Sequence, residues 1–311
     1  MVCWLLAETK EAGFGSRTMK KYISIDIGGT AIKYGTISEC GKLLSRGEMP
    51  TEAALGGAAI LEKADNIVRK FCEEESYSGI CVSTAGMVDT VKGEIVYSAP
   101  LIPRYTGTKI KETLGGRFGL PCEVENDVNC AGLAESISGA GKGYNPVLML
   151  TVGTGIGGCL IVDGQVYRGY GSSACEFGYM RMRGSDFQTL GSALSLTKRV
   201  AQRKNEPEEE WCGYRIFEQA KQGDAICVKA IDEMTDVLGF GIANICYVVS
   251  PQVVILGGGI MAQEDFLKDR IREALDRYLI GYIASNVRIR FAKHKNDAGM
   301  LGAFYHFMSC R

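Results

Sequence analysis

Two short glycine-rich turns, each set between apolar strands, constrain the fold of this 311-residue chain more than any other feature. The first is Asp26-Ile-Gly-Gly-Thr30 and the second is Gly153-Thr-Gly-Ile-Gly-Gly158. Because glycine has no Cβ, backbone N–H groups in such turns can close on phosphate oxygens. Each turn alone is equally compatible with an ordinary β-hairpin. Two such units about half a chain apart, the first carrying a carboxylate suited to a hydrated Mg²⁺, predict a duplicated nucleotide clamp.

Composition excludes several classes of protein. A formal net charge of −1 argues against nucleic acid as a main partner, since phosphate binding depends on clustered Lys and Arg. No apolar stretch approaches the roughly 20 residues that cross a bilayer, so no membrane partner is expected. The 12 cysteines are scattered without a C-x-x-C pair, which favours reduced thiols in the cytoplasm. The only two histidines, His294 and His306, are expected to have structural roles.

The order of apolar periodicities predicts two domains of mixed sheet flanked by helices. A hairpin opens each half of the chain, and strands and helices alternate after it. We predict a first lobe over 19–125, onto which a terminal helix in 297–311 packs back, and a second lobe over 126–296. Residues 1–18 precede a second possible start at Met19 and are expected to be a dispensable leader.

Taken in order, the motifs resemble those of the ROK (repressor, open reading frame, kinase) family of sugar kinases, over residues 21–308. Asp26–Thr30 is similar to the family's first phosphate loop, and Gly153–Gly158 is similar to its second. The three glycines after the strand 252–256 are similar to the loop that contacts adenosine. Lys33 is equally compatible with a strand residue facing solvent. The ATP-binding residues implied by the resemblance are Asp26 (which also holds Mg²⁺), Gly28, Gly29, Thr30, Lys33, Gly153, Thr154, Gly155, Gly157, Gly257, Gly258 and Gly259.

Two further segments resemble the parts of the family that bind the sugar. Glu125-Asn-Asp-Val-Asn-Cys-Ala131 is similar to the segment with the sugar-binding Asn and the catalytic Asp. Ser173-Ala-Cys-Glu-Phe-Gly-Tyr179 is similar to the segment whose Glu holds sugar hydroxyls. A helix N-cap for Asp127 and an exposed loop acid for Glu176 are the alternatives. The substrate-binding residues implied are Asn126, Asp127, Glu176, Tyr179 and Gly86, with Asp127 as the catalytic base.

The expected chemistry suits these residue types. Phosphoryl transfer to a hydroxyl needs mainly positioning and charge neutralisation, together with a carboxylate that accepts the hydroxyl proton. Asp127 is the candidate base, and Asn126 can donate to and accept from sugar hydroxyls. The resemblance therefore implies an ATP-dependent kinase acting on the 6-hydroxyl of a hexose or N-acetylhexosamine, of the glucose, N-acetylmannosamine or β-glucoside type.

The chain departs from the family pattern in the segment after Glu176. Many members carry a histidine at the position of Tyr179, followed by a cysteine cluster that binds zinc. Here 180–194 contains no Cys or His, so no zinc is expected, as in the zinc-less branch of N-acetylmannosamine and β-glucoside kinases. Tyr179 is expected either to reach the sugar pocket or to pack beneath it. Cys175 stands where the family usually has glycine.

The family resemblance implies an α/β, actin-like (ribonuclease H-like), duplicated two-lobed sugar kinase fold. ATP and Mg²⁺ are expected between the lobes, and a homodimer is implied. The alternatives are a catalytically inactive sugar-binding protein, a sugar-responsive transcriptional regulator, or another phosphotransferase of the same architecture. Only about 20 residues precede the first loop, without room for the winged helix-turn-helix that regulators carry there.

Overall fold

The computed structural model describes residues 19–100 and 102–311, so the predicted leader 1–18 lies outside the described residues. The chain divides into two compact units. The first comprises the described residues up to Glu125 together with Ala303–Arg311, and the second is Asn126–Gly302. The sequence predicted that the whole segment 297–311 belongs with the first unit. The part of it up to Gly302 instead groups with the second.

The first unit is a mixed sheet covered by helices, with strand order β3-β2-β1-β4-β7. The strands β1, β2 and β3 are antiparallel neighbours, whereas β1 and β4 run parallel. One face of α1 is buried against the sheet through apolar residues at helical spacing, such as Ile60, Ala64 and Ile67. The elements that begin in this unit are β1 Lys21–Ile27, β2 Ala31–Ser38, β3 Leu43–Pro50, α1 Gly57–Glu74, β4 Ile80–Thr84, β5 Met87–Asp89, β6 Glu94–Tyr97, α2 Ile110–Phe118 and β7 Cys122–Asn126.

The second unit repeats this arrangement. Its main sheet has the order β10-β9-β8-β13-β14, with β8 and β9 antiparallel, and with β13 parallel to both β8 and β14. The helices and strands are α3 Asp127–Ser138, β8 Val147–Val152, β9 Ile156–Val162, β10 Gln165–Val166, β11 Arg181–Met182, β12 Ser185–Asp186, α4 Phe187–Gly191, α5 Ala193–Lys204, α6 Gly213–Lys221, α7 Ala225–Val249, β13 Val253–Gly257, α8 Glu264–Tyr278, α9 Gly281–Asn286, β14 Arg288–Phe291 and α10 Ala298–Ser309.

The two sheets share one topology: an antiparallel meander at one edge, followed by parallel strands that are reached through helices. In each unit the glycine turn joins the two central antiparallel strands, β1 to β2 and β8 to β9. Apolar strands pack beneath helices in each core, for example Ile23, Ile25 and Val82 in the first unit. The predicted duplication is therefore present in the strand order itself.

The longest helix of the second unit contributes much of its surface to the core. The 25-residue helix α7 has apolar residues on much of its surface and packs against α8 and α5. Among the described residues, no helix combines the length and apolar character of a membrane span.

Candidate active site

Asp26 is held at the end of β1 by its neighbours in the sheet. The parallel pairing with β4 sets Ser83 beside it, and the Ser83 hydroxyl donates to Asp26 Oδ1 at 2.6 Å. The antiparallel pairing with β2 sets Lys33 opposite. Burial raises the pKa of Asp26, and the Ser83 hydrogen bond and the positive charge of Lys33 act against that rise. A divalent cation would favour the ionised carboxylate, so the position suits the predicted Mg²⁺ role.

The turn after β1 presents backbone donors to solvent. Gly28 N donates to Ala31 O at 3.0 Å, and the buried Thr51 hydroxyl donates to Gly28 O at 2.7 Å. Gly29 and Thr30 are exposed, and within the described chain their backbone N–H groups donate no hydrogen bond. A Cβ at Gly29 would meet nothing within 4 Å. Two outward amides on a braced turn are the donors that a phosphate group needs.

Gly86 lies in the turn between β4 and β5. Its φ of 96° is a conformation that L side chains rarely adopt, and a Cβ would lie 2.8 Å from Tyr97 O. The turn geometry therefore explains the glycine. Sugar binding at Gly86 stays a prediction.

Asn126 and Asp127 form a small hydrogen-bonded network at the start of α3. Asn126 Oδ1 accepts from the backbone N–H groups of Val128 and Asn129, at 2.9 and 3.0 Å, which makes Asn126 the N-cap. Asn126 Nδ2 donates to Asp127 Oδ1 at 2.9 Å, and Val128 N does so at the same distance. The alternative of a plain N-cap at Asp127 is therefore wrong, because the neighbouring Asn126 has that role. Asp127 is left as a half-buried, oriented carboxylate at the positive end of a helix.

The segment 173–179 presents a carboxylate without a partner among the described residues. Glu176 is exposed, and its carboxylate makes no hydrogen bond or ion pair with the described part of the chain. Partial desolvation raises its pKa. Tyr179 lies one short helical turn further on, and its side chain is 49% exposed. Both side chains face solvent, as a sugar-binding role would require.

Cys175 takes the backbone conformation that a glycine would provide. Its φ of 65° lies in the left-handed region. The segment that contains Cys175 packs closely against β9. A Cβ added at Gly158 of β9 would lie 2.6 Å from Cys175 O and 2.2 Å from Phe177. The loop therefore keeps a glycine-like course although a cysteine occupies the position.

The second glycine loop and the triple glycine lie together at one end of the second sheet. The parallel register pairs Gly257 with Thr151, so that Gly258 lies beside Val152, where a Cβ would be 2.3 Å from Val152 O. By contrast, a Cβ at Gly153 or Gly259 would meet nothing within 4 Å. The structure thus brings together two of the predicted nucleotide loops, separated by about a hundred residues in sequence.

Gly155 and Gly157 have close neighbours that account for their lack of a side chain. A Cβ at Gly155 would lie 2.6 Å from Gln188 Oε1, and one at Gly157 would lie 2.6 Å from Val128 on α3. The close contact of β9 with α3 at Gly157 positions the helix that begins with Asp127. Nucleotide contact by Gly155, Gly157 and the exposed Thr154 stays a prediction.

Three supporting residues were missed by the sequence reasoning. Ser83 orients Asp26, Thr51 braces the first turn, and Gln188 lies against both Gly155 and Gly178. Only the parallel pairing of β1 with β4 could have pointed to Ser83, because register sets residues side by side across a sheet. No local pattern marks Thr51 or Gln188.

Comparison with known proteins shows which family the chain belongs to. The ROK family matches residues 22–309. An uncharacterised protein of Clostridium perfringens is 48% identical, over 93% of this chain and 98% of its own. A β-glucoside kinase of Listeria monocytogenes is 33% identical, over 93% and 97%.

Solved structures agree with this assignment. A putative N-acetylmannosamine kinase from Listeria monocytogenes superposes with a TM-score of 0.83 at 32% identity, covering 93% of this chain and 99% of that one. A ROK family glucokinase from Streptomyces griseus, in complex with glucose and AMPPNP, gives 0.80 at 28% identity, covering 92% and 97%. The chain belongs to the ROK family. The predicted α/β, actin-like fold class and the resemblance to this family are both confirmed.

Proposed function

We propose that this protein is an ATP-dependent sugar kinase that transfers the γ-phosphoryl group of ATP to the 6-hydroxyl of a hexose or N-acetylhexosamine. Membership of the ROK family and the kinase names of its relatives support the reaction class. The observation that carries the proposal is the orientation of Asp127. Its Oδ1 accepts from Asn126 Nδ2 and from Val128 N, both at 2.9 Å, which fixes the carboxylate at the start of α3.

The residues of each unit have distinct tasks in this proposal. Asp127 accepts the proton of the attacking hydroxyl, and the Asn126 amide beside it contacts a sugar hydroxyl. Glu176, which has no partner among the described residues, accepts hydrogen bonds from other sugar hydroxyls. ATP with Mg²⁺ supplies the phosphoryl group and neutralises its charge when bound. Asp26 would hold the Mg²⁺, and the amides of Gly29 and Thr30 would bind phosphate. Gly153 and Gly259, where a Cβ would meet nothing within 4 Å, would contact the nucleotide.

The choice of sugar belongs to the proposal as well. Glucose, N-acetylmannosamine and β-glucosides are the candidate acceptors, because relatives of comparable identity carry each of these names. ATP turnover should be measured with the three sugars and with 6-deoxyglucose. We expect turnover with at least one of the three and none with the 6-deoxy sugar. Turnover with 6-deoxyglucose would refute transfer to the 6-hydroxyl.

Asp127→Asn tests the proposed base. The substitution keeps the shape of the side chain, and the N-cap of α3 stays intact because Asn126 provides it. Loss of a general base typically lowers the rate about 10²–10⁴-fold. We expect that fall in kcat, with the KM for ATP and the melting temperature nearly unchanged.

Two results, one with the Asp127→Asn variant and one with the wild-type protein, would contradict the proposal. A variant within about threefold of the wild-type rate would remove Asp127 from the mechanism, given the effect that a lost base has. A wild-type protein that binds a sugar, but neither hydrolyses ATP nor transfers its phosphoryl group, would indicate the catalytically inactive alternative.

A homodimer and a cytoplasmic location are part of the same proposal and rest on the family resemblance. Light scattering of the purified protein would give its mass in solution. A mass near the 33.7 kDa of one chain would refute the dimer.

A further inference from the structure

A cluster of three side chains with metal-binding chemistry lies in the first unit, outside every residue assigned to the kinase reaction. Glu123 comes from β7, His306 comes from the last turns of α10, and Cys310 directly follows that helix. One ligand atom from each residue lies within 4.8 Å of the other two. A carboxylate, an imidazole and a thiol so close together are the donor types that zinc prefers in proteins.

The spacing of His306 and Cys310 favours a shared ligand. The two residues are four apart, and Cys310 N donates to Phe307 O at 3.3 Å in the turn that follows the helix, which keeps their side chains on the same side. Cys310 Sγ is 3.9 Å from His306 Nε2. In a tetrahedral zinc site, with bonds of about 2.0–2.3 Å, the donor atoms are about 3.3–3.6 Å apart. Small side-chain rotations would therefore bring the donors to coordination distance.

The surroundings of the cluster also suit a bound cation. His306 is 2% exposed, and its Nδ1 lies 3.9 Å from Oε2 of the buried Glu125. A carboxylate behind a histidine is the usual second partner of a metal-binding imidazole. Cys310 is exposed, which gives an ion a route from solvent.

Charge decides which cation fits. A thiolate and a carboxylate together carry two negative charges, which one Zn²⁺ balances, whereas Mg²⁺ prefers oxygen ligands alone. Lys111 Nζ lies 2.7 Å from Glu123 Oε2 and competes with a metal for that oxygen. Because of this competition, we expect the cluster to bind a metal ion more tightly when the positive charge of Lys111 is removed.

We propose that Glu123, His306 and Cys310 form a zinc site that fastens the end of α10 to β7, with water in the fourth position. The expectation that the chain binds no zinc rests on the segment 180–194, and this site lies elsewhere in the sequence. Because the three residues join β7 to the end of α10 and the residue after it, zinc bound to the folded protein stabilises the first unit.

Cobalt substitution tests the site directly. The full-length protein, stripped of metal with a chelator, is titrated with Co²⁺ and then with Zn²⁺. We expect a thiolate-to-cobalt charge-transfer band that saturates at one equivalent and disappears when zinc displaces cobalt. Free zinc at about a hundred times its Kd should raise the melting temperature by roughly 5–10 °C.

Variants test the thiol ligand Cys310 and the effect of the Lys111 charge beside Glu123. Cys310→Ser lies at an exposed helix end and should fold normally, yet lose the charge-transfer band and the thermal shift. Cys212→Ser removes an exposed thiol of the second unit and should retain both. Lys111→Met should tighten cobalt binding about tenfold. The proposal fails if the wild-type protein gives no charge-transfer band, or if Cys310→Ser binds cobalt as the wild type does.

Discussion

At the scale of single residues, burial of the Asp26 carboxyl has a cost in stability at neutral pH. Burial raises the pKa of this carboxyl above its ordinary value of 3.8, so the folded protein binds the carboxyl proton more tightly than the unfolded chain does. The ionised form, which a cation site needs, therefore costs folding free energy at neutral pH. Ser83 and Lys33 offset only part of that cost.

Asp26→Asn should therefore stabilise the protein in a pH-dependent way. Well below pH 3.8 both proteins are uncharged at this position, and no difference in melting temperature is expected. The advantage of the variant should grow as the pH rises from 3.8 towards the raised pKa of Asp26, and it should level off above that pKa. If Asp26 holds Mg²⁺, kcat falls at least about 100-fold at the same time.

Melting curves from pH 3 to pH 8, with turnover measured at pH 7.5, check both parts of this prediction. Ser83→Ala is the matched control, because it removes the hydrogen bond that opposes the raised pKa and should destabilise the ionised protein further. An Asp26→Asn protein that melts lower than wild type at pH 7 would contradict the argument.

At the scale of elements, the turn after β13 contains two neighbouring glycines, Gly258 and Gly259, with different surroundings. Gly258 has a φ of 97°, and its hydrogen faces Val152 O, so the chain course itself requires glycine there. At Gly259 a Cβ would meet nothing within 4 Å, and the backbone does not adopt the left-handed conformation. Within residues 19–100 and 102–311, no neighbour requires Gly259 to lack a side chain, and the proposed close approach of a nucleotide would account for the glycine.

The pair Gly258→Ala and Gly259→Ala separates folding from nucleotide binding. Gly258→Ala should lower the free energy of unfolding by about 1–3 kcal/mol or more, because of backbone strain and the contact with Val152 O. Gly259→Ala should change stability by less than about 0.5 kcal/mol. It should nevertheless raise the KM for ATP about tenfold or more, equivalent to roughly 1.4 kcal/mol. Urea denaturation and ATP kinetics check the two variants, and an unchanged KM in Gly259→Ala would remove this glycine from the nucleotide site.

At the scale of the whole molecule, the end of the chain completes the unit in which the sheet begins. Phe304 and Phe307 of α10 pack edge-on against Tyr22 of β1, with ring centroids 5.3 and 5.4 Å apart. The ring of Phe307 also covers Gly79, where a Cβ would lie 2.3 Å away. The first unit therefore cannot complete its core until the last residues of the chain are present.

Phe307→Ala should destabilise the first unit by about 3–5 kcal/mol, the range for removing a buried aromatic ring. Met308→Ala, at the next and less buried position, is the control and should cost clearly less. Urea unfolding followed by hydrogen exchange would locate the loss in β1 and β4. A cost below about 1 kcal/mol would mean that α10 adds little to this core.

The sequence by itself determined much of this protein. Local periodicity and glycine placement predicted the main strands and helices, and the order of the motifs identified the family. These features depend on residues near one another in the chain, which is why they can be read without a structure. The network of Asn126 and Asp127 is also local, although the sequence suggested Asp127, and not Asn126, as the possible cap of α3.

Only the tertiary structure decided what distant residues do to one another. The pairing of Ser83 with Asp26, the contact of Gly258 with Val152 and the meeting of Glu123 with His306 and Cys310 join segments tens to hundreds of residues apart. Sheet register and helix docking set these neighbours, and no local pattern encodes them. The division of α10 at Gly302 has the same origin, because packing against the rest of the chain assigns each part of that helix.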